Sequence, residues 1–236
     1  VAHIHGGELT EGAIDDALRH SMTKLSHLHF VATEEYGRRV RQLGEEPWRI
    51  MVSGSPGLVY LHSTPLLDAS QLEGKYSLSL SRPTLLVTYH PVTLEAEQTE
   101  YQIGEVLAAL ETLALPVVFT LPNADTGGKT ITRRVKEFTA RHASARLVEN
   151  LGTQDYFSFM SLAAAMVGNS SSGLVEAPSF HLPVVNIGTR QRGRIRGRNV
   201  IDVGYERSAI IEGVRRAVSQ EFKAMLKGEK NPYGSG

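Results

Sequence analysis

The stretch Ala165-Met-Val-Gly-Asn-Ser-Ser-Ser-Gly-Leu-Val-Glu-Ala-Pro178 joins an apolar run to a small polar loop and then to the start of a helix. The apolar run predicts a buried strand, and Leu174 to Ala177 is typical of a first helical turn. A loop that leads into a helix N-terminus presents unpaired backbone N–H groups and a positive dipole to an anion. Its serines add hydroxyl donors, and its glycines let a ligand approach the backbone. On its own, this loop could equally be a plain serine–glycine turn.

A second strand–loop pattern follows about twelve residues later, as Pro183-Val-Val-Asn-Ile-Gly-Thr-Arg-Gln-Arg-Gly-Arg194. Here a predicted buried strand leads into a loop rich in guanidinium groups. Arginine-rich loops are often only solvated surface. However, open α/β sheets bind ligands at the carboxyl ends of their strands, so two such loops on neighbouring strands indicate a phosphate-bearing ligand.

Composition excludes several classes of protein. The 236 residues contain 25 Lys plus Arg and 25 Asp plus Glu, so the charge balance gives no sign of a nucleic-acid or membrane partner. Cysteine is absent, which rules out disulfides and cysteine-based zinc sites or nucleophiles. No apolar run approaches the roughly 20 residues that cross a bilayer. We expect a cytoplasmic protein.

Strand and helix patterns alternate along the chain, which predicts an α/β fold of parallel sheets covered by helices. Residues 1–63 are interpreted as the C-terminal part of an N-terminal Rossmann-like domain, and residues 84–236 as a complete nucleotide-binding Rossmann-like domain. Residues 64–83 lose periodicity and gain Pro, Ser and Gly, which indicates a linker. Because the chain lacks an initiator methionine and begins within a strand pattern, we expect a fragment. One helix in the first part is predicted to be amphipathic from the spacing of Ile14, Leu18, Met22 and Leu25.

Polar residues also follow two further strands of the predicted second domain. His90 ends the apolar run that begins at Leu85, where binding and catalytic groups sit in parallel sheets. Asn123 and Asp125 follow the next strand in the same way. A structural histidine and a plain Asx turn are the respective alternatives.

The N-terminal segment concentrates titratable side chains: His3, His5, Glu8, Asp15, Asp16, Arg19, His20 and Lys24. Asp15 with Arg19, and Asp16 with His20, have the i,i+4 spacing of helical pairs. Histidine and glutamate are metal-ligand types, but no recognised ligand spacing is present. Acid–base groups that face a cleft are the favoured interpretation.

Together these segments resemble the hydrolysing UDP-N-acetylglucosamine 2-epimerases of sialic acid biosynthesis. The resemblance covers nearly the whole chain, with its motifs in the family's order. They begin at His3-Ile-His-Gly-Gly-Glu8, His90-Pro-Val-Thr93, Pro122-Asn-Ala-Asp-Thr-Gly127, Gly168-Asn-Ser-Ser-Ser-Gly173, Asn186-Ile-Gly-Thr-Arg190 and Asn231-Pro-Tyr-Gly234.

The resemblance implies a GT-B-like fold, in which a nucleotide sugar lies between two Rossmann-like domains. It implies anti elimination of UDP from UDP-N-acetylglucosamine to give 2-acetamidoglucal, and hydration to N-acetylmannosamine, without a metal or other cofactor. A homo-oligomer, dimer or tetramer, is also expected. The resemblance assigns acid–base or sugar-facing roles to His5, Glu8, Asp15 and His90. It assigns UDP binding to Asn123, Ser170, Ser171, Glu176 and Arg190.

Two departures from the family pattern affect these assignments. Related enzymes often carry glutamate where this chain has His5, so His5, Glu8, Asp15 and Asp16 all stay candidates for the acid or base. Part of the family's first Rossmann-like domain has no counterpart here. We therefore expect this chain alone to bind UDP weakly at best and not to turn over.

Three other functions stay open. One is hydrolysing epimerisation of a UDP- or GDP-linked 2,4-diacetamido trideoxy sugar, and another is UDP binding without catalysis. A GT-B glycosyltransferase is a weaker option because it would not explain the segment from His3 to Asp16. A non-hydrolysing epimerase fits less well because the His-Gly-Gly-Glu loop resembles the hydrolysing branch.

Overall fold

A computed structural model describes residues 1–10, 15–123 and 127–235. Within these residues the chain forms two parallel sheets, each with helices packed against it. No helix in the described ranges is both long enough and apolar enough to cross a membrane.

The first sheet has three strands in the order β1-β2-β3. They span Ala2–Ile4 (β1), Leu28–Val31 (β2) and Ile50–Val52 (β3). Helices α1 (Asp15–Lys24) and α2 (Glu34–Gln42) follow β1 and β2. The Thr33 side chain accepts a hydrogen bond from the Tyr36 N–H and so caps the N-terminus of α2.

The second sheet has six strands in the order β6-β5-β4-β7-β8-β9, all parallel. Numbered from its own first strand, this is the 3-2-1-4-5-6 order of a doubly wound dinucleotide-binding sheet. The predicted α/β class and the complete Rossmann-like unit are confirmed. Its strands are β4 (Leu85–Thr88), β5 (Val117–Thr120), β6 (Ala145–Val148), β7 (Ala165–Gly168), β8 (Val184–Ile187) and β9 (Val200–Val203).

Helices cover both faces of this sheet, and apolar side chains fill a core on each side. Continuous apolar strands such as β4 and β7 are buried along their full length, as parallel sheets require. The remaining helices are α3 (Val59–Ser63), α4 (Ala69–Tyr76), α5 (Thr99–Leu113), α6 (Gly128–Arg141), α7 (Gly152–Leu162), α8 (Ser172–Val175), α9 (Arg207–Ala217) and α10 (Gln220–Met225).

The predicted linker, residues 64–83, contains α4 and so is not an extended connection. Asp68 and Gln71 form a capping box at its start. Leu72 is fully buried in the core of the second sheet, and Lys75 pairs with Asp155 of α7 at 2.6 Å. The segment lacks long-range periodicity because a helix of eight residues shows only two turns of pattern.

Helix α1 does not use its apolar positions for the core. Leu18, Met22 and Leu25 are exposed, with Leu18 at 58%, whereas Thr23 is buried. Polar contacts dock the other face, because the Thr23 hydroxyl lies 3.1 Å from His3 Nδ1. The fourth predicted position, Ile14, lies outside the described residues.

The C-terminal tail crosses from the second sheet back to the first. The Tyr233 ring packs beside Tyr36 of α2, and the two hydroxyls are 3.0 Å apart. The Tyr233 hydroxyl also donates to the Ile195 carbonyl at 3.0 Å, and the Ile195 N–H donates to the Tyr36 hydroxyl. Both tyrosines are fully buried, so this cluster joins the first sheet, the tail and the loop from Arg190 to Arg198, which we call the arginine loop.

Replacing Tyr233 separates the packing of this cluster from its hydrogen bonding. Tyr233→Ala should lower the free energy of unfolding by about 3–5 kcal/mol, because a large buried side chain is lost. Tyr233→Phe should cost about 0.5–1.5 kcal/mol, the usual value of one hydrogen bond. Urea unfolding measures both, with the exposed Tyr101→Phe as the control. Equal stability of Tyr233→Ala and the unchanged chain would show that this tyrosine cluster does not hold the tail to the first sheet.

Candidate functional site

A cleft between the two sheets consists of two neighbouring cavities of about 580 and 490 Å³ that share Gly57 and Glu176. We call the first the dyad cavity, because its lining includes His5 and Glu8. We call the second the serine cavity, because its lining includes Ser170 and Ser172. A ligand that fills both cavities must pass Glu176.

The serine cavity lies where the strand order of the second sheet reverses. Strands β4 and β7 are direct neighbours there, yet their crossover connections run in opposite directions along the sheet. The loops after them diverge and leave a crevice, which is the general ligand position in doubly wound sheets. His90 follows β4 and the serine loop, Asn169–Ser172, follows β7.

Gly168 lets the two strands approach at this point. It has φ +136°, and a Cβ placed on it would lie 2.0 Å from the Thr88 carbonyl oxygen. Only glycine fits such an approach. The predicted helix after the loop is the single turn α8, so this site offers hydroxyls and loop N–H groups to a ligand and not the dipole of a long helix.

The Asn169 side chain connects three loops. Its Oδ1 accepts from the His90 N–H at 2.7 Å, and its Nδ2 donates to the His90 carbonyl at 2.8 Å. The Asn169 backbone carbonyl accepts from Arg190 and Gln191 in the arginine loop. Asn169 is almost completely buried, so it fixes His90 and the arginine loop against the serine loop.

His90 has a defined ring orientation. Its Nδ1 accepts a hydrogen bond from the Asn123 backbone N–H at 3.0 Å. The same Nδ1 lies 3.2 Å from the Asn123 side-chain oxygen Oδ1, so Asn123 contacts the ring through both its backbone and its side chain. His90 lines the serine cavity, whereas Asn123 supports it from behind. Asp125, the other polar residue predicted after β5, lies outside the described residues.

Glu176 lies in the shared wall, and its Oε1 closely approaches Gly57. Burial raises the pKa of its carboxyl group, and hydrogen bonds at Ser172 offset this only partly. The neighbouring Tyr156 hydroxyl also has a pKa raised by burial and interacts with Ser172 and Thr88. The carboxylate is thus under-stabilised in this structure, which favours a ligand that donates hydrogen bonds to it.

The dyad cavity brings His5 and Glu8 together. His5 Nδ1 is 3.2 Å from Glu8 Oε1, and His5 Nε2 is 3.1 Å from Ser55 Oγ. His5 has φ +67°, a conformation that is uncommon for residues other than glycine and is enriched at functional sites. Arg194 pairs with Glu8 Oε2 at 3.0 Å.

The surroundings of Glu8 favour its ionised form. Burial alone would raise its pKa, but the contact with His5 and the charge of Arg194 outweigh burial and hold the pKa below the ordinary value. A carboxylate next to an imidazole is an arrangement that orients the ring for proton transfer. His5 Nδ1 and Glu8 Oε1 thus face each other in the cavity as a close pair, but their contact lacks hydrogen-bond geometry in this structure.

Asp15 and Asp16 differ in their positions. Asp15 lines the dyad cavity. Asp16 instead accepts from the Thr10 N–H at 2.6 Å and pairs with Arg19 at 3.4 Å. Arg19 thus pairs at i,i+3 with Asp16 and not with Asp15, and it also donates to the Thr10 hydroxyl at 3.2 Å.

The predicted binding residues divide into two groups. Ser170, Ser171 and Glu176 line the cleft, Ser171 on the dyad side. Arg190 is absent from both linings, and its guanidinium donates to the Asn169 carbonyl at 3.2 Å. Arg194, four residues later, reaches the cleft in its place.

Three residues at the site carry little sequence signal. Ser55 precedes Pro56 and Gly57, and this pattern is typical of an ordinary turn. Asn169 is one more small polar residue beside three serines. Arg194 is one of five arginines between positions 190 and 198. Their contacts depend on loops from distant parts of the chain, which no local pattern specifies.

A family model described as UDP-N-acetylglucosamine 2-epimerase matches residues 1–236. The chain belongs to this epimerase family. It is 42% identical over 225 residues to a Campylobacter jejuni protein named GDP/UDP-N,N'-diacetylbacillosamine 2-epimerase (hydrolyzing), which covers 94% of this chain and 58% of that relative. It is 40% identical over 233 residues to the polysialic acid biosynthesis protein P7 of Escherichia coli, over 98% of this chain and 59% of that one.

The fold is similar to that of a Neisseria meningitidis UDP-GlcNAc 2-epimerase whose crystal structure contains UDP-GlcNAc. The TM-score is 0.83 at 20% identity, over 100% of this chain and 66% of that one. This likeness confirms the predicted GT-B-like fold of the epimerase family. The chain thus spans less than two thirds of the length of these relatives.

Removing the Asn169 side chain should destabilise the crevice between the loops that follow β4 and β7. Asn169→Ala removes the two hydrogen bonds that the Asn169 side chain makes with the His90 N–H and carbonyl, so the free energy of unfolding should fall by about 1–3 kcal/mol. Urea unfolding measures this, and the exposed Gln42→Ala is the control. If the two variants are equally stable, Asn169 does not hold His90.

Glu176 gives a pH dependence with a defined sign. Because its folded-state pKa is raised, stability is fully present below the ordinary value of 4.5 and is lost as pH rises through the folded value. Glu176→Gln should therefore be more stable than the unchanged chain at pH 7, and this difference should vanish below about pH 4. Urea unfolding across this range is the measurement, with the exposed Glu97→Gln as control. Greater stability of the unchanged chain at pH 7 would refute the cost of ionising Glu176.

Proposed function

We propose that the protein is a hydrolysing 2-epimerase that acts on a UDP-linked 2-acetamido sugar. One observation carries this proposal: an acid–base dyad and a serine-lined anion site face the same cleft and meet at Glu176. A nucleotide sugar has its reacting carbons next to its diphosphate, so this spacing suits such a ligand.

In the proposed binding mode, the nucleotide occupies the serine cavity. Ser170 and the loop N–H groups bind the diphosphate, and the Glu176 carboxylate accepts hydrogen bonds from the ribose hydroxyls. The uracil ring of the nucleotide lies against the apolar part of the lining, which includes Leu151 and Phe157. The His90 Nε2–H donates to the leaving phosphate oxygen as negative charge develops there.

Arg190 and Asn123 act indirectly in this proposal. Arg190 holds the Asn169 carbonyl, and Asn123 holds the position of the His90 ring. Ser171 faces the dyad cavity, which places it near the junction of the diphosphate and the sugar.

The proposed reaction has two steps. A base removes the proton from C2 while the C1–O bond breaks, and the bonding electrons leave with the UDP oxygen. The product of this step is a 2-acetamido glycal. Water then adds its hydroxyl to C1 and a proton is delivered to C2 on the opposite face, which gives the free epimerised sugar.

His5, oriented by Glu8, is the proposed base, with Asp15 as the second proton-transfer group across the cavity. General acid–base groups of this kind contribute about 10²–10⁴-fold to rates. No step needs a metal ion or a redox cofactor, because both steps are proton transfers coupled to C–O bond breaking or forming.

Two substrates fit the proposed reaction. UDP-N-acetylglucosamine would give N-acetylmannosamine, and the Neisseria meningitidis structure with UDP-GlcNAc supports this choice. A 2,4-diacetamido trideoxy nucleotide sugar is the second candidate, and the name of the Campylobacter jejuni relative supports it. Both substrates share the acetamido group at C2 and the diphosphate at C1.

We further propose that turnover requires protein beyond this chain. The relatives are longer, and the dyad cavity is open to solvent beside the exposed residues Leu18 and Met22. The 236-residue chain alone would then act as a weak UDP-binding module. The homo-oligomeric state and the cytoplasmic location stay predictions.

The reaction is tested by incubating the complete protein with each nucleotide sugar in D₂O. We expect release of UDP and a free sugar with one deuterium at C2, measured by an enzyme-coupled UDP assay and by NMR. His5→Gln should lower kcat by about 10²–10⁴-fold, because the base is lost. The control is His142→Gln, a residue at the C-terminal end of α6.

Three results would contradict this function. Absence of UDP release from both substrates would favour the non-catalytic module. A product that retains UDP would indicate a non-hydrolysing epimerase. Product without deuterium at C2 would exclude the elimination step.

A further inference from the structure

We propose that Arg194 is a positioning residue that holds Glu8 against His5, so that the acid–base dyad is assembled only when the two walls of the cleft are in contact. This inference rests on the proposed function and adds a residue to it. Three observations support it: the contacts of Glu8, the position of Arg194 on the opposite side of the cleft from Glu8, and the orientation of His5.

Glu8 is a buried carboxylate whose two oxygens face different partners. Its side chain is only 5% exposed, with Oε1 3.2 Å from His5 and Oε2 3.0 Å from Arg194. A buried charge is tolerated only when paired, and an unpaired carboxylate takes up a proton. Arg194 is itself largely buried, so this pair is little screened by solvent.

Arg194 belongs to the opposite wall from Glu8. The arginine loop that carries it is held to the second sheet at both ends. The Thr189 hydroxyl donates to Glu95 at 2.5 Å, and Arg196 pairs with Asp202 of β9 at 2.8 Å. Between them, Gln191 donates to the Asn169 carbonyl at 2.7 Å. Glu8 follows β1 of the first sheet, so the Glu8–Arg194 pair spans the cleft.

No other cation in the described part of the chain pairs with the Glu8 carboxylate, apart from His5. Arg19 donates to the Glu8 backbone carbonyl at 3.2 Å and not to its side chain. Arg19 also favours the ionised carboxylate through its charge, but without contact with the Glu8 side chain. The other ionisable groups around the dyad are His3, Asp15, Tyr36, Glu176 and Tyr233. Arg194 is therefore the guanidinium that contacts the Glu8 side chain.

His5 depends on Glu8 for its orientation. His5 Nδ1 and Glu8 Oε1 are 3.2 Å apart without hydrogen-bond geometry, so the ionised carboxylate acts on the ring through its charge. This charge favours a hydrogen on Nδ1, which leaves the Nε2 lone pair on the side of Ser55. If Arg194 withdraws, burial favours the protonated form of Glu8, which no longer attracts the Nδ1 hydrogen. The base then loses its preferred tautomer.

Arg194→Met, Arg194→Lys and Arg198→Met, each made in the complete protein, test this inference. Arg198 is a matched control because it lies in the same loop but pairs with Glu229 at the surface. Carboxyl ¹³C NMR titration should show the Glu8 pKa raised in Arg194→Met, and unchanged in Arg194→Lys and Arg198→Met. The acid limb of the kcat–pH profile should move upward by the same amount in Arg194→Met, with kcat at pH 6 lower by about tenfold or more.

A double variant covers the case in which Arg194→Met folds poorly. Glu8→Gln with Arg194→Met leaves no unpaired buried charge, and it should have the same kcat–pH profile as Glu8→Gln alone. An unchanged Glu8 pKa in Arg194→Met would overturn the proposal, and so would a different profile in the double variant. If the protein releases no UDP from any tested sugar, the proposed function fails, but the Glu8 titration still decides the role of Arg194.

Discussion

The cleft depends on how closely β4 and β7 pair at their carboxyl ends. Gly168 allows this approach because any side chain there would meet the Thr88 carbonyl. The Asn169 amide then occupies the opening between the diverging loops and satisfies the His90 backbone on both its N–H and C=O groups. Without these two residues the strand order would still reverse, but the crevice would have no fixed shape. The proposed anion site therefore depends on the carboxyl ends of these two central strands and not on the serines alone.

The second constraint is the charge balance between the walls. The first sheet supplies a buried carboxylate and the second supplies the guanidinium that accompanies it. Two buried tyrosines and the C-terminal tail join the same parts of the molecule a short distance away. Apolar packing, hydrogen bonding and the Glu8–Arg194 ion pair thus stabilise the same arrangement of the two sheets. Among the described residues, Glu176 forms no ion pair within contact distance, and burial raises its pKa despite the charges of His5 and Arg194 nearby.

Sequence reasoning located the second sheet well because its strands are apolar runs bounded by Gly, Pro or Asn, and fully buried strands need such runs. It also placed His5, Glu8, His90 and the serine loop at strand ends, and all of these line the cleft. It did not distinguish Arg194 from Arg190. Which arginine of a loop points into a cleft depends on the turns between them and on partners such as Asn169 and Glu8, which are far away in sequence.

The first part of the chain was harder to predict for a different reason. The spacing of Leu18, Met22 and Leu25 correctly indicates an amphipathic helix, yet this face is exposed and a polar face packs inward. Periodicity reports that a helix has two faces, but it does not report which neighbour each face meets. The helix in residues 64–83 carried a readable signal, the Asp68 and Gln71 capping box, which was outweighed by the surrounding Pro, Ser and Gly residues.

The left-handed backbone of His5 has a consequence for how this protein can change. A side chain held at φ +67° costs folding free energy that glycine or asparagine would largely avoid. Random selection for thermostability should therefore repeatedly find substitutions at this position, and each would remove the imidazole from the cleft. A design that stabilises the chain needs to keep His5, because the substitutions that relieve the backbone strain at this position also remove the proposed base.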